Sequence, residues 1–158
     1  MITIDELLVH APADIVFDVA ADVENWPSIL PHYRWVRFHD KKTFGRGVVE
    51  MSAWRHFPMG LKYPTWWVSQ MTSEPSEPAV YYRHVDGITK GMDVKWELTA
   101  RGQDTFIRLV HAWKGPRWPV IGSFAANHVI GPHFVSAIAQ RTLAGVARTA
   151  EARARNLE

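Results

Sequence analysis

The sequence predicts an α+β fold in which one strand and two short helices precede about six antiparallel strands and a long C-terminal helix. Three observations support this prediction. Apolar and polar residues alternate through most of residues 34–114, a proline-framed helical stretch spans Ala11–Tyr33, and the apolar spacing becomes helical from Gly122 onward. A period of two is typical of strands and a period near 3.6 of helices, so the order of the elements follows from the pattern.

The predicted strands are separated by connections that contain glycine or proline. Gly45-Arg46-Gly47, Pro58-Met59-Gly60 and Asp86-Gly87 are such connections. These residue types mark hairpin turns because of their special backbone angles, so the strands are expected to form an antiparallel meander. The predicted strands are Ile2–His10, Arg34–His39, Val48–Phe57, Lys62–Thr72, Ala79–Val85, Asp93–Thr99 and Thr105–Lys114.

Residues Ala11–Tyr33 predict two short helices inserted after the first strand. Pro12 and Asp14 suit a helix start, because proline needs no hydrogen bond for its nitrogen there and a carboxylate is favoured at the positive end of the helix dipole. The proline-framed stretch Trp26–Pro31 carries a second, smaller apolar group. An insertion of this kind can close over one face of a sheet.

The last helix is predicted from the spacing of its apolar residues. Phe134, Val135, Ile138, Ala139, Leu143, Val146 and Ala150 fall on one side of a helix about twenty residues long. Alanine and glycine are frequent in the same stretch. A helix rich in small residues can lie across a curved sheet without filling the space beneath it, which leaves room for a ligand.

Composition limits the classes of protein that the chain can represent. A length of 158 residues suits one domain, residues 1–158, with a single core. Basic and acidic residues are interspersed and give a net charge of +2, and the C-terminal arginines alternate with no stacking aromatics, so nucleic acid is not an expected partner. Cysteine is absent, which excludes disulfides and thiolate chemistry.

The same composition gives an expectation for location and assembly. The first residues lack the basic and apolar regions of a secretory signal, and no apolar run approaches the roughly twenty residues that span a bilayer. A cytoplasmic protein with no stable membrane insertion is therefore expected, as a monomer or a homodimer. The apolar segment Trp118-Pro119-Val120-Ile121 either folds over an entrance or joins a dimer contact.

Eight tryptophans are a heavy aromatic load for a chain of this size. Strand periodicity places many rings and a few polar tips on one concave face, a mixture that suits a mostly apolar ligand with a few oxygens. The expected partner is therefore a small hydrophobic molecule. The predicted ligand-binding residues are Trp26, Trp67, Met71, Tyr82, His84, Trp96, His111, Trp113, Phe134 and Ile138.

Motifs for cofactors and for covalent chemistry are missing from the sequence. His128 and His133 are five residues apart, which does not match the spacing of two metal ligands on one helical face, and no phosphate-binding loop occurs. Ser69 and Ser28 have no neighbouring histidine and acid in a recognisable triad. No metal and no cofactor are expected, and His84 and His111 are interpreted as hydrogen-bonded core or wall residues.

The order of elements resembles the START-like helix-grip (SRPBCC) superfamily, which includes polyketide cyclases and lipid-transfer domains. The resemblance covers essentially the whole chain. Its most specific parts are Ala11–Phe17, Asp22–Pro27 and the closing helix Pro132–Ala154, which are similar to the polyketide cyclase/dehydrase and coenzyme Q-binding branches. The resemblance implies a curved antiparallel sheet wrapped around the C-terminal helix, with a deep cavity between them.

A second resemblance concerns catalysis. Trp67-Val68-Ser69-Gln70-Met71 is similar to the Trp-x-Ser-x-Arg stretch of the polyketide aromatases, and Trp26 and Tyr33 are similar to their pocket residues. The resemblance implies Tyr33 and Ser69 as catalytic candidates. Met71 stands where those enzymes place an arginine, so Arg55 or Arg83 would have to replace that arginine.

Two functional hypotheses follow. In the first, the protein binds a polyketide-, quinone- or lipid-like molecule without catalysis. In the second, it is a polyketide cyclase or aromatase that promotes intramolecular aldol condensation and dehydration, with confinement of the substrate supplying most of the rate advantage. A third possibility, a protein-binding outer surface, is supported only by Trp66 and Trp118, which look exposed.

Overall fold

The computed structural model describes residues 1–56, 58–115 and 135–157 of the chain. The helices are α1 (Ala13–Ala21), α2 (Trp26–Ile29) and α3 (Ser136–Arg155), with short 3-10 turns at Val23–Asn25 and Pro58–Gly60. The strands are β1 (Ile2–Val9), β2 (Tyr33–Thr43), β3 (Arg46–His56), β4 (Lys62–Glu74), β5 (Ala79–Gly87), β6 (Asp93–Arg101) and β7 (Asp104–Ala112).

All seven strands belong to one antiparallel sheet with the order β1-β7-β6-β5-β4-β3-β2. Consecutive strands from β2 to β7 are joined as hairpins, and β1 closes the other edge by pairing with β7. The predicted α+β helix-grip architecture is therefore confirmed, including the two short helices after the first strand.

Most strand ends differ from the prediction by one to four residues, and the largest difference is in β2. Strand β2 continues from His39 to Thr43 although Asp40–Thr43 are exposed, because the backbone ladder of the β2–β3 hairpin needs no buried face. Helix α3 begins at Ser136. The predicted start at Pro132, together with Phe134 and Trp118–Ile121, lies outside the described residues.

Helix α3 is attached near both of its ends to strand β1 and the residue that follows it. The Asp5 carboxylate accepts hydrogen bonds from the Ser136 hydroxyl and the Gln140 amide, each at 3.2 Å. Near the other end, the Glu151 carboxylate accepts one from the His10 backbone N–H at 3.0 Å. These contacts fix the height of the helix over the sheet.

The middle of helix α3 packs closely against the end of α2. A Cβ atom added to Gly145 would lie 2.1 Å from a methyl carbon of Leu30, and Leu30 is fully buried. The absence of a side chain at Gly145 therefore lets the two helices pack directly.

A search of the described residues for a helix with the length and hydropathy of a membrane span finds none.

A bulge between β4 and β5 orients the strand segment that carries Trp67. The register shifts between Val68 and Ser69, and Gly87 pairs with Trp67 at the end of the ladder. Gly87 has φ of +92°, and a Cβ there would meet the Trp66 carbonyl oxygen at 2.5 Å and the Trp67 Cα at 2.7 Å. Only glycine fits this backbone conformation and this close approach.

We expect Gly87→Ala to lower the free energy of unfolding by more than about 2 kcal/mol, because backbone strain and a backbone clash add together. Gly91→Ala is the matched control, since Gly91 has φ of +88° but nothing within 4 Å of an added Cβ. The control should cost about 1 kcal/mol. Urea unfolding measures both, and equal losses would show that the contact with β4 does not matter.

Candidate functional site

A cavity of about 80 Å³ lies between the concave face of the sheet and helix α3, with α2 at one side. Most of its lining is apolar or aromatic, and the polar groups are few, which is the usual composition of a site for a small hydrophobic ligand. The lining residues are Trp26, Tyr33, Met51, Trp67, Tyr82, His84, Thr89, Met92, Val94, Trp96, Leu109, His111, Val135, Ile138, Ala139 and Thr142.

Aromatic rings in edge and tilted contacts form one wall of the cavity. Trp26 meets Tyr33 edge-on with ring centroids 5.1 Å apart, and Tyr33 meets Trp67 edge-on at 6.2 Å. Trp26 also contacts Trp96 at 5.9 Å. Its indole N–H donates to the Val19 carbonyl at 3.1 Å, which orients the ring. Such contacts each contribute about 0.5–1.5 kcal/mol beyond burial, so the wall is preorganised.

His84 is held in a fixed orientation beside this wall. Its ring stacks on Trp67, with centroids 5.9 Å apart and planes 12° from parallel. On the other side, its Nδ1 lies 2.6 Å from the Thr89 hydroxyl. Ring stacking and this hydrogen bond together limit the imidazole to one position at the cavity surface.

Tyr33, Thr142 and His32 form a buried polar chain at the helix side of the cavity. The Thr142 hydroxyl donates to the Ile138 carbonyl at 2.9 Å and forms a second hydrogen bond with His32 Nε2, also at 2.9 Å. Burial raises the pKa of Tyr33 above its usual range, and a hydrogen bond with Thr142 opposes this rise. Tyr33 therefore presents a neutral phenol to the cavity at neutral pH.

The histidines around the cavity are uncharged at neutral pH. The pKa of His84 is lowered to about 3, mainly by burial and to a smaller extent by the nearby His111. Burial lowers the pKa of His111 to about 4. Burial and the neighbouring Arg141 and His56 lower the pKa of His32 to about 4. Protonated imidazoles are disfavoured here because the surroundings cannot solvate the charge.

Several buried polar atoms have no hydrogen-bond partner among the described residues: Thr3 Oγ1, Ser69 Oγ, the Tyr82 hydroxyl and His111 Nδ1. Tyr82 and His111 line the cavity. Leaving a buried polar atom unpaired costs about 1–3 kcal/mol, so such atoms are uncommon in folded proteins.

The structure brings most of the predicted site residues to the cavity. The lining includes Trp26, Tyr33, Trp67, Tyr82, His84, Trp96, His111 and Ile138. Ser69, Met71 and Trp113 are buried but are not among the lining residues. Trp113 follows the end of β7, and its indole N–H donates to the Lys90 carbonyl at 3.0 Å. Phe134 lies outside the described residues.

Several lining residues were not predicted to bind the ligand, among them Met51, Thr89, Met92 and Thr142. Thr89 and Met92 belong to the β5–β6 connection, where no periodicity shows which way a side chain points. Thr142 is a polar residue on an otherwise apolar helix face, and only its contacts with Tyr33 and His32 distinguish it. Met51 lies on β3 on the same face as Ala53, so strand periodicity alone could have found it.

Neither arginine considered as a replacement at the Met71 position lines the cavity. Arg83 is exposed on the outer face of β5 and forms an ion pair with Asp93. Arg55 is half-buried near the end of β3, where burial lowers its pKa. Within residues 1–56, 58–115 and 135–157, no group of three or more histidine or acidic side chains could hold a metal ion.

Comparison with known proteins identifies a family and a set of structural relatives. Residues 9–128 match the family described as polyketide cyclase / dehydrase and lipid transport. No curated protein sequence matches the chain. Several solved structures have the same fold over nearly its whole length.

A protein from Thermus thermophilus has 15% identity and a TM-score of 0.71, and the match covers 100% of this chain and 99% of that one. The Zhui aromatase/cyclase from a Streptomyces species has 19% identity and a TM-score of 0.68, covering 98% and 93%. A START superfamily protein from Mycobacterium smegmatis has 16% identity and a TM-score of 0.66, covering 99% of each chain. At such identities these likenesses show the fold.

We expect the free energy of unfolding to fall as the pH drops from 6.5 toward 4. In that window the unfolded chain binds protons at His32, His84 and His111, whose ordinary pKa is 6.5, whereas the folded protein does not. Each histidine adds a slope that approaches about 1.4 kcal/mol per pH unit. Urea unfolding at several pH values measures this pH dependence of the free energy of unfolding.

His111→Leu provides the test of the assignment. Between about pH 5.5 and pH 4.5, this variant should show a slope that is shallower by nearly 1.4 kcal/mol per pH unit, because one of the three differences between the folded and unfolded states is gone. A stability curve that runs parallel to that of the unsubstituted protein would contradict the buried, uncharged state of His111.

Proposed function

This chain belongs to the polyketide cyclase / dehydrase and lipid transport family, and from that membership we propose that it binds a small hydrophobic or aromatic ligand in the cavity between the sheet and α3. The ligand class is polyketide-, quinone- or lipid-like. The single observation that carries the proposal is the cavity itself, about 80 Å³ of space walled by Trp26, Tyr33, Trp67 and Trp96.

The packing around the cavity supports this proposal in preference to a simple core. Protein interiors are normally close-packed, so a space of this size requires walls that cannot collapse. Trp26 is held by its hydrogen bond to Val19, and Trp67 is held between Tyr33 and His84. The rings are thus fixed around a space, and a flat apolar ligand would form van der Waals contacts with the ring faces that point into it.

Filling the cavity from the helix side tests the proposal. Ala139 lines the cavity on α3 and is buried, so Ala139→Leu should occupy the space that a ligand needs. Ala137→Leu is the matched control, since Ala137 lies on the exposed face of the same helix. The probe is naphthalene, and its affinity is measured by isothermal titration calorimetry.

We expect Ala139→Leu to weaken naphthalene binding at least tenfold, a loss of about 1.4 kcal/mol or more, while Ala137→Leu binds as the unsubstituted protein does. Thermal unfolding should show both variants folded. Equal affinities of the two variants, or no naphthalene binding by the unsubstituted protein, would contradict the proposal.

The second candidate function is that of a polyketide cyclase or aromatase. It is favoured by the neutral Tyr33 phenol at the cavity surface, which is linked through Thr142 to the His32 imidazole. A phenol held in this way can donate a proton to a developing alkoxide or enolate. Ser69, the other catalytic candidate, does not line the cavity, so the proposal assigns the proton transfer to Tyr33.

Under this second function, Tyr33→Phe should lower the rate of ring formation from a poly-β-ketone substrate by about a hundredfold. Its naphthalene affinity should change little, because the ring remains. Chromatography of the cyclised product measures the rate. An unsubstituted protein that does not exceed the spontaneous reaction would rule out the cyclase and leave the binding function standing.

A further inference from the structure

Tyr82 and His111 occupy one row across the concave face of the sheet. Tyr82 of β5 pairs with Val94 of β6, and Val94 pairs with His111 of β7. Directly paired residues project to the same face, so the phenol and the imidazole stand on either side of a small valine. All three residues line the cavity.

The two side chains differ from the other polar groups around them in their hydrogen bonding. The indole N–H of Trp26, His84 Nδ1 and the Thr142 hydroxyl all have protein partners. The Tyr82 hydroxyl and His111 Nδ1 have none among the described residues, although their residues are only 6% and 9% exposed. Unpaired buried polar atoms are costly, and here they belong to two residues that line the proposed ligand site.

We propose that the Tyr82 hydroxyl and His111 Nδ1 recognise an uncharged oxygen of the ligand, a hydroxyl or a carbonyl. This inference rests on the proposed binding function and adds to it the chemistry of the ligand's polar end. A ligand hydroxyl can both accept from Tyr82 and donate to an imidazole nitrogen, and a carbonyl can accept from either group. The rest of the ligand lies against the aromatic wall.

The surroundings favour an uncharged oxygen over a carboxylate. The described lining residues include no lysine or arginine, and burial keeps both His84 and His111 in their neutral forms by lowering the pKa of each. An anion entering the cavity would lose its hydration without gaining a positive charge from these residues. A neutral oxygen loses far less hydration and gains the same hydrogen bond.

Four ligands that share one ring system test the inference: naphthalene, 2-naphthol, 2-naphthaldehyde and 2-naphthoate. At least one of the two uncharged oxygen compounds should bind about three- to tenfold tighter than naphthalene, as expected for one buried hydrogen bond. The carboxylate 2-naphthoate should bind more weakly than that compound. Calorimetry at pH 7.5 measures all four affinities.

Substitutions then locate the hydrogen bond. Tyr82→Phe removes only the hydroxyl, and His111→Leu removes both ring nitrogens. At least one of them should abolish the preference for the uncharged oxygen compound, measured in each variant as the ratio of its affinity to the affinity for naphthalene. Tyr81→Phe is the matched control, because Tyr81 lies on the outer face of the same strand, 40% exposed, and it should keep the preference.

The outcomes separate the two levels of the proposal. If naphthalene binds but neither oxygen compound binds more tightly, or if both variants keep the preference, the inference about Tyr82 and His111 is wrong and the binding function stands. Tighter binding of 2-naphthoate than of the uncharged compounds would also overturn it. If naphthalene itself does not bind, the binding function fails.

Discussion

The site depends on one constraint, which is the fixed distance between helix α3 and the concave face of the sheet. Hydrogen bonds from Ser136 and Gln140 to Asp5 and from His10 to Glu151 attach the helix to the edge strand β1 and the residue that follows it. The direct packing of Gly145 on Leu30 fixes the position of the middle of α3. With its position set at three places, α3 cannot settle onto the sheet, and its small side chains leave a space beneath it.

The space persists because its walls are rigid. Edge-on contacts join Trp26, Tyr33 and Trp67 into one array, and His84 extends that array along the cavity through its stack on Trp67. Each ring is limited both by its neighbours and by a hydrogen bond or strand position. A preorganised wall reduces the entropy that a ligand must lose on binding, because few side chains need to be ordered when it arrives.

The polar groups of the site fall into two kinds with different physical consequences. His84, Thr142 and His32 are paired within the protein and stabilise the arrangement of the walls. Tyr82 and His111 carry atoms that have no hydrogen-bond partner within the described part of the chain, which lowers stability. Because burial keeps the imidazoles neutral, the polarity of the cavity comes from dipoles and not from charge.

The sequence by itself determined the order of strands and helices, because periods of two and 3.6 record which side of each element is buried. It also placed Trp67, Tyr82, Trp96 and His111 on the concave face. The tertiary structure decided which buried residues line the space, since periodicity does not distinguish a core side chain such as Met71 from a wall residue. Contacts distant in sequence, such as that of His32 with Thr142, and the absence of a partner for Tyr82 among the described residues depend on how α3 crosses the sheet, and no local pattern encodes that crossing.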